Sequence, residues 1–503
     1  MQKLHRVALV TAICLGTFMA SLDISIVNVA LPTLLSSLNT TMSGLQWVVD
    51  AYALCLSALI LSSGPLGDRF GRKRIWLGGV ALFTAGSLLC ALSTSLEGLL
   101  AGRIIQGIAG AAVIPGALSL LAHAFPDEQQ RVRVIGIWSS VNALSLVVGP
   151  ILGGILVHTA GWPSIFMINI PIGIVALVLG AIGLKESAHP DHAALDPIGQ
   201  ILSILWLGAL TFGLISAGDQ GWHSPEARWS LLAALIMFLL FIAVERKVSR
   251  PLLPLHLFRQ ANFSGYNLAS AVLGFSSYSS VFFVSLFLQQ AQGWSPLETG
   301  WRMAPEFIAM ALAATSFGRL AARFSVNALA IAGYGLIGVG LLLLAQLQAE
   351  SAYLHTALFL ALLGIGMGLG MPATSALVMR SVPAQRSGMA SATMNAVRQT
   401  GMTVGIALLG TLMSLHAEQS LNAQLSSQNI LHASSIARSA IAEHAFTAGV
   451  PQLVELTHAA VASGFSLAML WAGVVSLAMT LWLGVMLHPR FQLTQESAAL
   501  SRK

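Results

Sequence analysis

The chain has 503 residues, of which 56% are hydrophobic and only 9% are charged, and its mean hydropathy is +0.78. Soluble globular domains carry roughly 25% charged residues, so this composition excludes a soluble protein and indicates a polytopic membrane protein. The formal net charge of +6 does not indicate a nucleic-acid partner, because the basic residues lie in short loops between apolar runs. The three cysteines lie inside apolar segments without ligand spacing, so neither disulfides nor a metal site are predicted.

Apolar runs of about 17 to 25 residues, the length that a helix needs to cross hydrocarbon, predict fourteen transmembrane spans. Lys3 and Arg6 precede the first run, as in a secretory signal, but the run continues to Pro32 without a cleavage-like site. We therefore expect an uncleaved first helix. The predicted spans are centred near residues 16, 56, 83, 111, 146, 174, 207, 236, 277, 311, 337, 366, 405 and 475.

The distribution of basic residues predicts the orientation. With the N-terminus in the cytoplasm and fourteen alternating spans, 20 of the 25 lysines and arginines fall in cytoplasmic loops or tails. Only Arg228 and Arg438 fall in loops on the external side of the membrane, and three arginines lie within spans. This bias predicts that both termini are cytoplasmic.

An internal repeat predicts the architecture. GPLGDRF at residue 64 is echoed by GRLAARF at residue 318, and GIAGAAVIPGALSL at 107 by GIGMGLGMPATSAL at 364, so the offsets are 254 and 257 residues. Six spans thus repeat after an insertion of two, which indicates an all-α fold of two six-helix halves related by a pseudo-two-fold axis along the membrane normal. We expect a first bundle over 1–187, two additional helices over 188–259, and a second bundle over 260–503 with an external loop at about 416–463.

Residues 64–74, GPLGDRFGRKR, place one acid and four bases between two apolar runs. Glycines allow a close helix approach and the charges cannot enter hydrocarbon, so the pattern predicts a tight loop at the membrane surface. A solvated loop that merely stops the span is the alternative to a latch between helix ends. The residues that we expect to form the latch are Gly64, Asp68, Arg69, Gly71 and Arg72. The repeat carries Ala322 where the first half has Asp68, so the latch should be asymmetric.

These motifs carry a family resemblance. The loop at residue 64 resembles the signature loop between spans two and three of the major facilitator superfamily, and RIIQG, with Gln106 and Gly107, resembles its second motif. GPILGG in span five, with Gly149, Pro150, Gly153 and Gly154, resembles the motif of its antiporters, although the same glycines also suit simple close packing. Further segments similar to fourteen-span drug:proton antiporters are LDISIVNVALP, GWPSIFMINIPIG with Asn169, GWSPLETG and GMASATMNAVRQTG.

Asp23 is the strongest candidate site residue. It lies 17 residues after Arg6, about 25 Å along the first helix, where an ionised carboxylate is costly unless it faces protein or water. A proton or a cationic ligand can neutralise it, and these are mutually exclusive, which is the chemistry of exchange. The alternative is a structural aspartate bonded to Ser21 or Ser25.

Two further acids and their neighbours are candidates for the proton or substrate pathway. Glu306 lies inside span ten with Arg302 one turn before it, so either a local ion pair or a transport function is open. Glu306 and Asp23 are expected to line one cavity from opposite sides. Asp50, close to the outer end of span two, is expected to be interfacial rather than buried.

Two arginines within spans complete the predicted pathway. Arg103 either snorkels to the outer interface or acts as a fixed charge beside an acid. Arg398 lies deeper, with Asn395 and Gln399 within one turn, and is expected to face the bundle interior.

The resemblance implies a proton-coupled antiporter of a bacterial cytoplasmic membrane that exports amphiphilic, often cationic, drugs by alternating access and contributes to antibiotic resistance. The chain is not expected to be an enzyme, and without a P-loop it needs no cofactor beyond a proton gradient. An exporter of one endogenous metabolite or antibiotic would share every motif. A receptor or lipid translocator of the same fold without proton coupling is the other alternative, and recruitment of a periplasmic adaptor stays open.

Overall fold

The protein is represented by a computed structural model that describes residues 2–125, 127–188, 196–248, 251, 253, 255–382, 387–442 and 452–487. Within these ranges all regular structure is helical. The helices of the first half are α1 Gln2–Ser37, α2 Met42–Phe70, α3 Arg72–Leu92, α4 Leu96–Ala124, α5 Glu128–Ala160, α6 Ser164–Met167 and α7 Asn169–Gly183. Two helices follow, α8 Pro197–Gln220 and α9 Pro225–Glu245.

The second half begins after a short 3-10 turn at Leu257–Arg259. Its first span is α10 Ala261–Leu273 continued by α11 Ser279–Leu286, with π turns at Gly274–Tyr278 and Phe287–Ala291. Such turns widen a helix locally and recur at functional sites. The remaining helices are α12 Pro296–Ala321, α13 Val326–Leu344, α14 Tyr353–Arg380, α15 Ser387–Ser427, α16 Ala433–Ala442 and α17 Leu453–Met486.

Local sequence signals set where these helices begin and end. Hydroxyl residues at N-caps accept a bond from a backbone N–H in the first turn, as Thr41 does from Gly44 (3.4 Å), and Ser295 forms a capping box with Glu298. Helices α2 and α5 end at Gly71 (φ 102°) and at Gly161 (φ 78°) respectively, where a positive φ favours glycine.

Twelve helical segments of the described residues are long and apolar enough to cross a membrane. Helices α5 and α12 are not among these twelve, but they are 33 and 26 residues long and pack within the same bundle. The chain is therefore an all-α polytopic protein, and this arrangement is consistent with the fourteen predicted spans. We call the end at which α1 ends and α2 begins the outer end, following the predicted orientation.

The two halves meet along two seams. In the first half α1 packs on α5 and α7, and α4 on α2 and α3, while in the second half α14 packs on α12 and α13, and α17 on α13 and α15. Between the halves α2 packs on α15 and α5 packs on α12, and we name these the α2–α15 seam and the α5–α12 seam. Helix α8 pairs with α9 and contacts both α2 and α15, so it lies beside one seam. The predicted domain boundaries stay a prediction.

The external segment is more helical than the expected loop. Helix α15 continues to Ser427, α16 packs against it and contacts α2, and α17 begins at Leu453. Arg438 of α16 donates a hydrogen bond to the backbone carbonyl of Asp219 at the end of α8 (2.5 Å). The segment thereby covers the outer ends of α2 and α8, and residues 443–451 lie outside the described part.

Candidate functional site

A buried ion pair joins α1 to α4. The Arg103 guanidinium donates through Nη1 to Asp23 Oδ2, and both side chains are buried, with exposed fractions of 1% and 0%. Gln106 Nε2 donates to Asp23 Oδ1 at 3.1 Å, and Asn169 Nδ2 donates to the same oxygen at 3.3 Å. Three helices of the first half thus converge on one carboxylate.

A second layer of contacts orients this network. Arg103 Nε donates to the carbonyl of Val48 (2.9 Å) and lies 4.7 Å from the centre of the Tyr52 ring, a cation–π distance. Gln106 and Asn169 both donate to Ser87 Oγ, at 2.8 and 3.3 Å. Each partner is thereby held in place, which is what a buried charge pair needs to be tolerated.

The open alternatives for Asp23 and Arg103 are decided by this geometry. Ser25 donates to the carbonyl of Leu22 (3.1 Å) rather than to Asp23, so the carboxylate is not a locally bonded aspartate. Arg103 does not snorkel to the interface, since its side chain is buried on the α1 side of α4.

The cavity between the halves is small, about 30 Å³, room for no more than a water molecule or two. The expectation that Asp23 and Glu306 line one cavity from opposite sides is wrong for this conformation, because neither side chain lines it. Successive residues of a helix face different directions, and it is Ile24 and Ser25 that face the cavity while Asp23 faces α4. The lining residues are Ile24, Ser25, Asn28, Val49, Tyr278, Val281, Phe307, Met310, Met367, Met402 and Ile406.

The other two acids are buried without partners. Asp50 and Glu306 are both 0% exposed, and no hydrogen bond to either carboxyl group is present among the described residues. The expectation that Asp50 is interfacial is therefore wrong. Helices α15 and α16 cover this part of α2, so nearness to the helix start did not mean nearness to water.

Arg302 does not pair with Glu306. Its guanidinium stacks on Trp294 (3.4 Å to the ring centre) and on Tyr353 (4.5 Å) at the outer end of α12. The aromatic faces attract the cation and keep it near the interface, which leaves Glu306 alone one turn deeper.

Arg398 is partly buried and lies in the second half. It donates to Asn395 Oδ1 and lies 5.4 Å from the ring centre of Tyr278, a residue of the central cavity. Gln399 is half-buried beside it. The structure therefore places Arg398 next to the cavity, whereas the arginine that pairs with Asp23 is Arg103.

The GPILGG segment of α5 packs against both α1 and α12. A Cβ added at Gly149 would lie 1.9 Å from Ser25 Oγ, and one at Gly154 would lie 2.6 Å from the carbonyl of Pro296 in α12. Across the same seam, a Cβ at Gly300 would lie 2.2 Å from the Pro150 carbonyl. Small residues therefore let α5 contact both α1 and α12 at the outer end. Gly153 abuts Ile26 of α1 in the same way, and Gly107 of α4 abuts the carbonyl of Tyr52 in α2.

The motif at residues 64–74 is not a loop. Helix α2 continues to Phe70, α3 begins at Arg72, and the whole turn is made by Gly71. The segment can remain helical because it ends at the predicted membrane surface, where its charged side chains reach water. The side chain of Asp68 lies outside the described part, so the latch function of this residue stays a prediction.

Glu186, which the sequence did not single out, caps this turn. Its carboxylate accepts the backbone N–H groups of Lys73 (3.1 Å) and Arg74 (3.3 Å) at the start of α3. Lys73 Nζ in turn donates to the carbonyl of Ala181 at the end of α7 (2.8 Å). Glu186 follows the sixth predicted span, and it reaches the start of α3 only because α3 packs on α7. The sequence alone therefore could not identify it as a cap of α3.

We expect Glu186→Ala to lower the free energy of unfolding by about 1 kcal/mol, because two N–H groups of the first turn lose their acceptor. Gly71→Ala should cost more, since φ is positive there and a Cβ would lie 2.6 Å from Glu186 Oε1. Thermal unfolding of the purified variants checks both. Glu350→Ala, at an exposed turn, is the control, and equal melting temperatures for Glu186→Ala and the control would contradict the capping role.

Comparison with known proteins identifies the family. The model of the Major Facilitator Superfamily matches residues 13–277 and 266–418. The chain belongs to the major facilitator superfamily. Members of this superfamily are membrane transporters, and the chain is accordingly a multi-pass transporter and not an enzyme.

Several relatives within the superfamily cover most of the chain. It is 35% identical over 412 residues to a Methylenomycin A resistance protein of Bacillus subtilis, covering 82% of the chain and 88% of the relative. It is 36% identical over 424 residues to the Multidrug resistance protein Stp of Mycobacterium tuberculosis, covering 84% and 79%. A solved bacterial homologue of the lysosomal transporter Spinster, inward-facing and unoccupied, aligns with a TM-score of 0.66 at 18% identity, over 95% of this chain and 97% of that one, and supports the same fold.

Proposed function

We propose that the chain exports small amphiphilic compounds, among them cations, across a bacterial cytoplasmic membrane in exchange for protons. The relatives named for methylenomycin A resistance and multidrug resistance support export of toxic compounds. The proposed location keeps both termini in the cytoplasm, in agreement with the bias of basic residues. Alternating access would come from rocking of the two halves about the central cavity.

The observation that carries proton coupling is the position of Asp23. Its carboxylate holds α1 to α4 through Arg103, while the next residues of α1, Ile24 and Ser25, line the central cavity. A proton on Asp23 removes the charge that attracts Arg103, so it loosens α1 from α4 and changes the wall of the cavity. Proton binding at Asp23 and substrate binding at the cavity therefore act on one helix.

The cavity lining suits amphiphilic compounds. Three methionines, Met310, Met367 and Met402, offer flexible, polarisable contacts, and Tyr278 and Phe307 offer aromatic faces. Aromatic faces attract cations, which supports cationic substrates. In this conformation the cavity is too small for a drug, so a substrate must enter after the halves have moved apart.

We expect Asp23→Asn to abolish dye accumulation driven by a pH gradient in inverted membrane vesicles, compared at equal amounts of folded protein in the membrane. Asparagine keeps the size of the side chain and cannot exchange a proton for a cation. Uptake of a quaternary ammonium dye with and without an imposed gradient is the measurement. Glu226→Gln, which neutralises an exposed acid at the start of α9, is the matched control and should leave uptake unchanged.

Unchanged gradient-driven uptake in Asp23→Asn would overturn the proposal that Asp23 couples transport to protons. Gradient-independent transport by the unmodified chain would instead favour a receptor or lipid translocator of the same fold. An exporter of a single metabolite or antibiotic stays the second candidate, and the relative named for methylenomycin A favours it. A panel of chemically unrelated dyes separates the two, because a single-substrate exporter would transport none of them.

A further inference from the structure

Arg398 is a charged side chain inside a predicted span that has no carboxylate partner. Helix α15 begins at Ser387, so Arg398 lies about 17 Å along it. Within the described residues its guanidinium hydrogen-bonds to Asn395 Oδ1 and forms no ion pair, whereas Arg103 in the first half pairs with Asp23. A cation at such depth without a counter-ion is costly, so it marks a candidate binding site.

The position of Arg398 on α15 places it on the face that lines the central cavity. Met402 and Ile406 both line the cavity, and they follow Arg398 by four and eight residues, so the three share one face of the helix. Side chains of a helix lean toward its start. The guanidinium therefore lies on the inner side of Met402, at the inner end of the cavity.

Tyr278, from the first span of the second half, forms the opposite wall of this site. Its ring lines the cavity, and the ring centre lies 5.4 Å from the guanidinium carbon of Arg398. Its hydroxyl donates to Sδ of Met371 (3.2 Å), which fixes the ring. The ring covers one side of the guanidinium, and the N–H groups that do not bond to Asn395 remain for a ligand.

Backbone packing holds the two walls in place. A Cβ added at Gly274, in the π turn that leads to Tyr278, would lie 2.0 Å from the carbonyl of Arg398. A Cβ added at Gly401 would lie 2.1 Å from the carbonyl of Ala271. Because close contacts between backbones fix the two helices relative to each other, the arrangement of Arg398 and Tyr278 exists before a ligand binds.

The charge beside the cavity is positive. Asp23, Asp50 and Glu306 are each next in sequence to a lining residue, but their own side chains do not line the cavity, and none of the lining residues is acidic. Arg398, in contrast, stacks on the lining ring of Tyr278. A ligand in the cavity therefore meets a fixed cation, which attracts an anionic group.

We propose that Arg398 is the anion-binding residue of the cavity, and that the compounds exported best carry a carboxylate on an apolar body. A carboxylate matches the planar guanidinium, which can donate parallel N–H bonds to both of its oxygens. The methionines and aromatic rings of the lining contact the apolar body. The proposal includes zwitterions, whose cationic part can lie against the ring of Phe307. This inference rests on the proposed export function and names the chemical class of its substrate.

Two dyes that share one body test the inference. Tetramethylrhodamine carries a free carboxylate, and tetramethylrhodamine methyl ester carries the same cationic body without that negative charge. Binding of each dye to the purified protein in detergent is measured by fluorescence anisotropy and corrected for partition into protein-free micelles. We expect the unmodified chain to bind the carboxylate dye about 10- to 100-fold more tightly than the ester.

Substitutions of Arg398 should remove this preference. We expect Arg398→Gln to bind both dyes with equal affinity and not to weaken binding of the ester, because only the charge-assisted bonds to the carboxylate are lost. Arg398→Lys keeps the charge without the planar fork, so its preference should be intermediate. Arg323→Gln, which removes an exposed arginine just after the end of α12, is the matched control and should keep the parental preference.

Asn395→Asp is a second variant that leaves Arg398 in place. Aspartate has nearly the size of asparagine and puts a carboxylate at the atom that already bonds to Arg398. The protein then supplies the counter-ion that the substrate is proposed to bring, so the preference for the carboxylate dye should be lost as in Arg398→Gln. Because the two substitutions disturb the packing differently, agreement between them assigns the effect to charge.

Three results would overturn the inference: equal affinity of the unmodified chain for the two dyes, no measurable binding of the carboxylate dye, or the parental preference in Arg398→Gln. Monodisperse elution and retained binding of the ester show that a variant has folded. Failure of the proposed function gives a different result. Uptake of the carboxylate dye into inverted vesicles that ignores an imposed pH gradient would overturn proton exchange, whereas the binding preference would stand.

Discussion

Arg103→Ala is expected to lower the free energy of unfolding by about 3–5 kcal/mol, the largest stability effect that we predict for a single substitution. Removing the guanidinium leaves the Asp23 carboxylate buried with only the amides of Gln106 and Asn169 as partners. The carbonyl of Val48 also loses its donor. Thermal or denaturant unfolding of the purified protein in detergent is the measurement.

The double variant Asp23→Asn with Arg103→Gln separates the charge effect from packing. Both members of the pair are then neutral, so most of the lost stability should return, and the double-mutant cycle should give a coupling energy of about 2–3 kcal/mol. Transport should stay absent, because exchange needs an acid at position 23. Arg74→Ala is the matched control, since its contact with Glu186 is long (3.8 Å) and exposed, and should change stability by less than about 1 kcal/mol. Equal effects of Arg103→Ala and Arg74→Ala would contradict a stabilising function of the buried pair.

The fold could be predicted from the sequence because a membrane permits few kinds of backbone structure. A span must be helical, about 20 residues long and apolar, so apolar runs of this length identify helices directly. The repeat, at offsets of 254 and 257 residues, then related the two halves. The extent of helices beyond the membrane was not predictable in this way, and α15 continues to Ser427 where a loop was expected.

The candidate site was only partly predictable because its contacts join distant helices. Asp23, Arg103 and Asn169 each stood out, the first two as charges within apolar runs and the third within a family motif. Gln106 stood out within the RIIQG motif, and it lies three residues after Arg103 on the same face of α4. Ser87 carried no signal, because a serine in an apolar helix usually bonds its own backbone.

Distance along a helix was a poor guide to burial. Asp50 lies near the start of α2 and was expected at the interface, but α15, α16 and α8 cover that end. Arg302 and Glu306 have the spacing of an ion pair, yet the arginine stacks on two aromatic rings from other parts of the chain. Both errors have one cause, since helical periodicity describes one helix and these environments are made by several.

Gly300→Ala is expected to shift the chain toward the outward-open state and to reduce gradient-driven transport severely without unfolding either half. The added methyl group would lie 2.2 Å from the Pro150 carbonyl, a backbone atom that cannot move aside while α5 and α12 stay in contact. Overpacking of this kind costs about 1–3 kcal/mol, which corresponds to a roughly 5- to 150-fold change in the ratio of open to closed molecules. The contacts of α12 with α14, within its own half, are unaffected.

Gln46 of α2 lies against Gly410 of α15 in the other seam, so labelling of Gln46→Cys from outside by a membrane-impermeant thiol reagent measures this shift. The rate is measured in a variant with the three native cysteines replaced by alanine, and it is divided by that of Leu431→Cys, a residue 83% exposed on the outer segment. If the halves move as rigid bodies, a methyl group in the α5–α12 seam must raise labelling in the α2–α15 seam as well. Gly318→Ala is the matched control, because it lies in the same helix and a Cβ there meets nothing within 4 Å. Gly154→Ala, on the opposite side of the seam, should act like Gly300→Ala, since its Cβ would lie 2.6 Å from the Pro296 carbonyl. If labelling at position 46 did not rise in either variant, the two seams would open independently, and alternating access by rocking of whole halves would not describe this transporter.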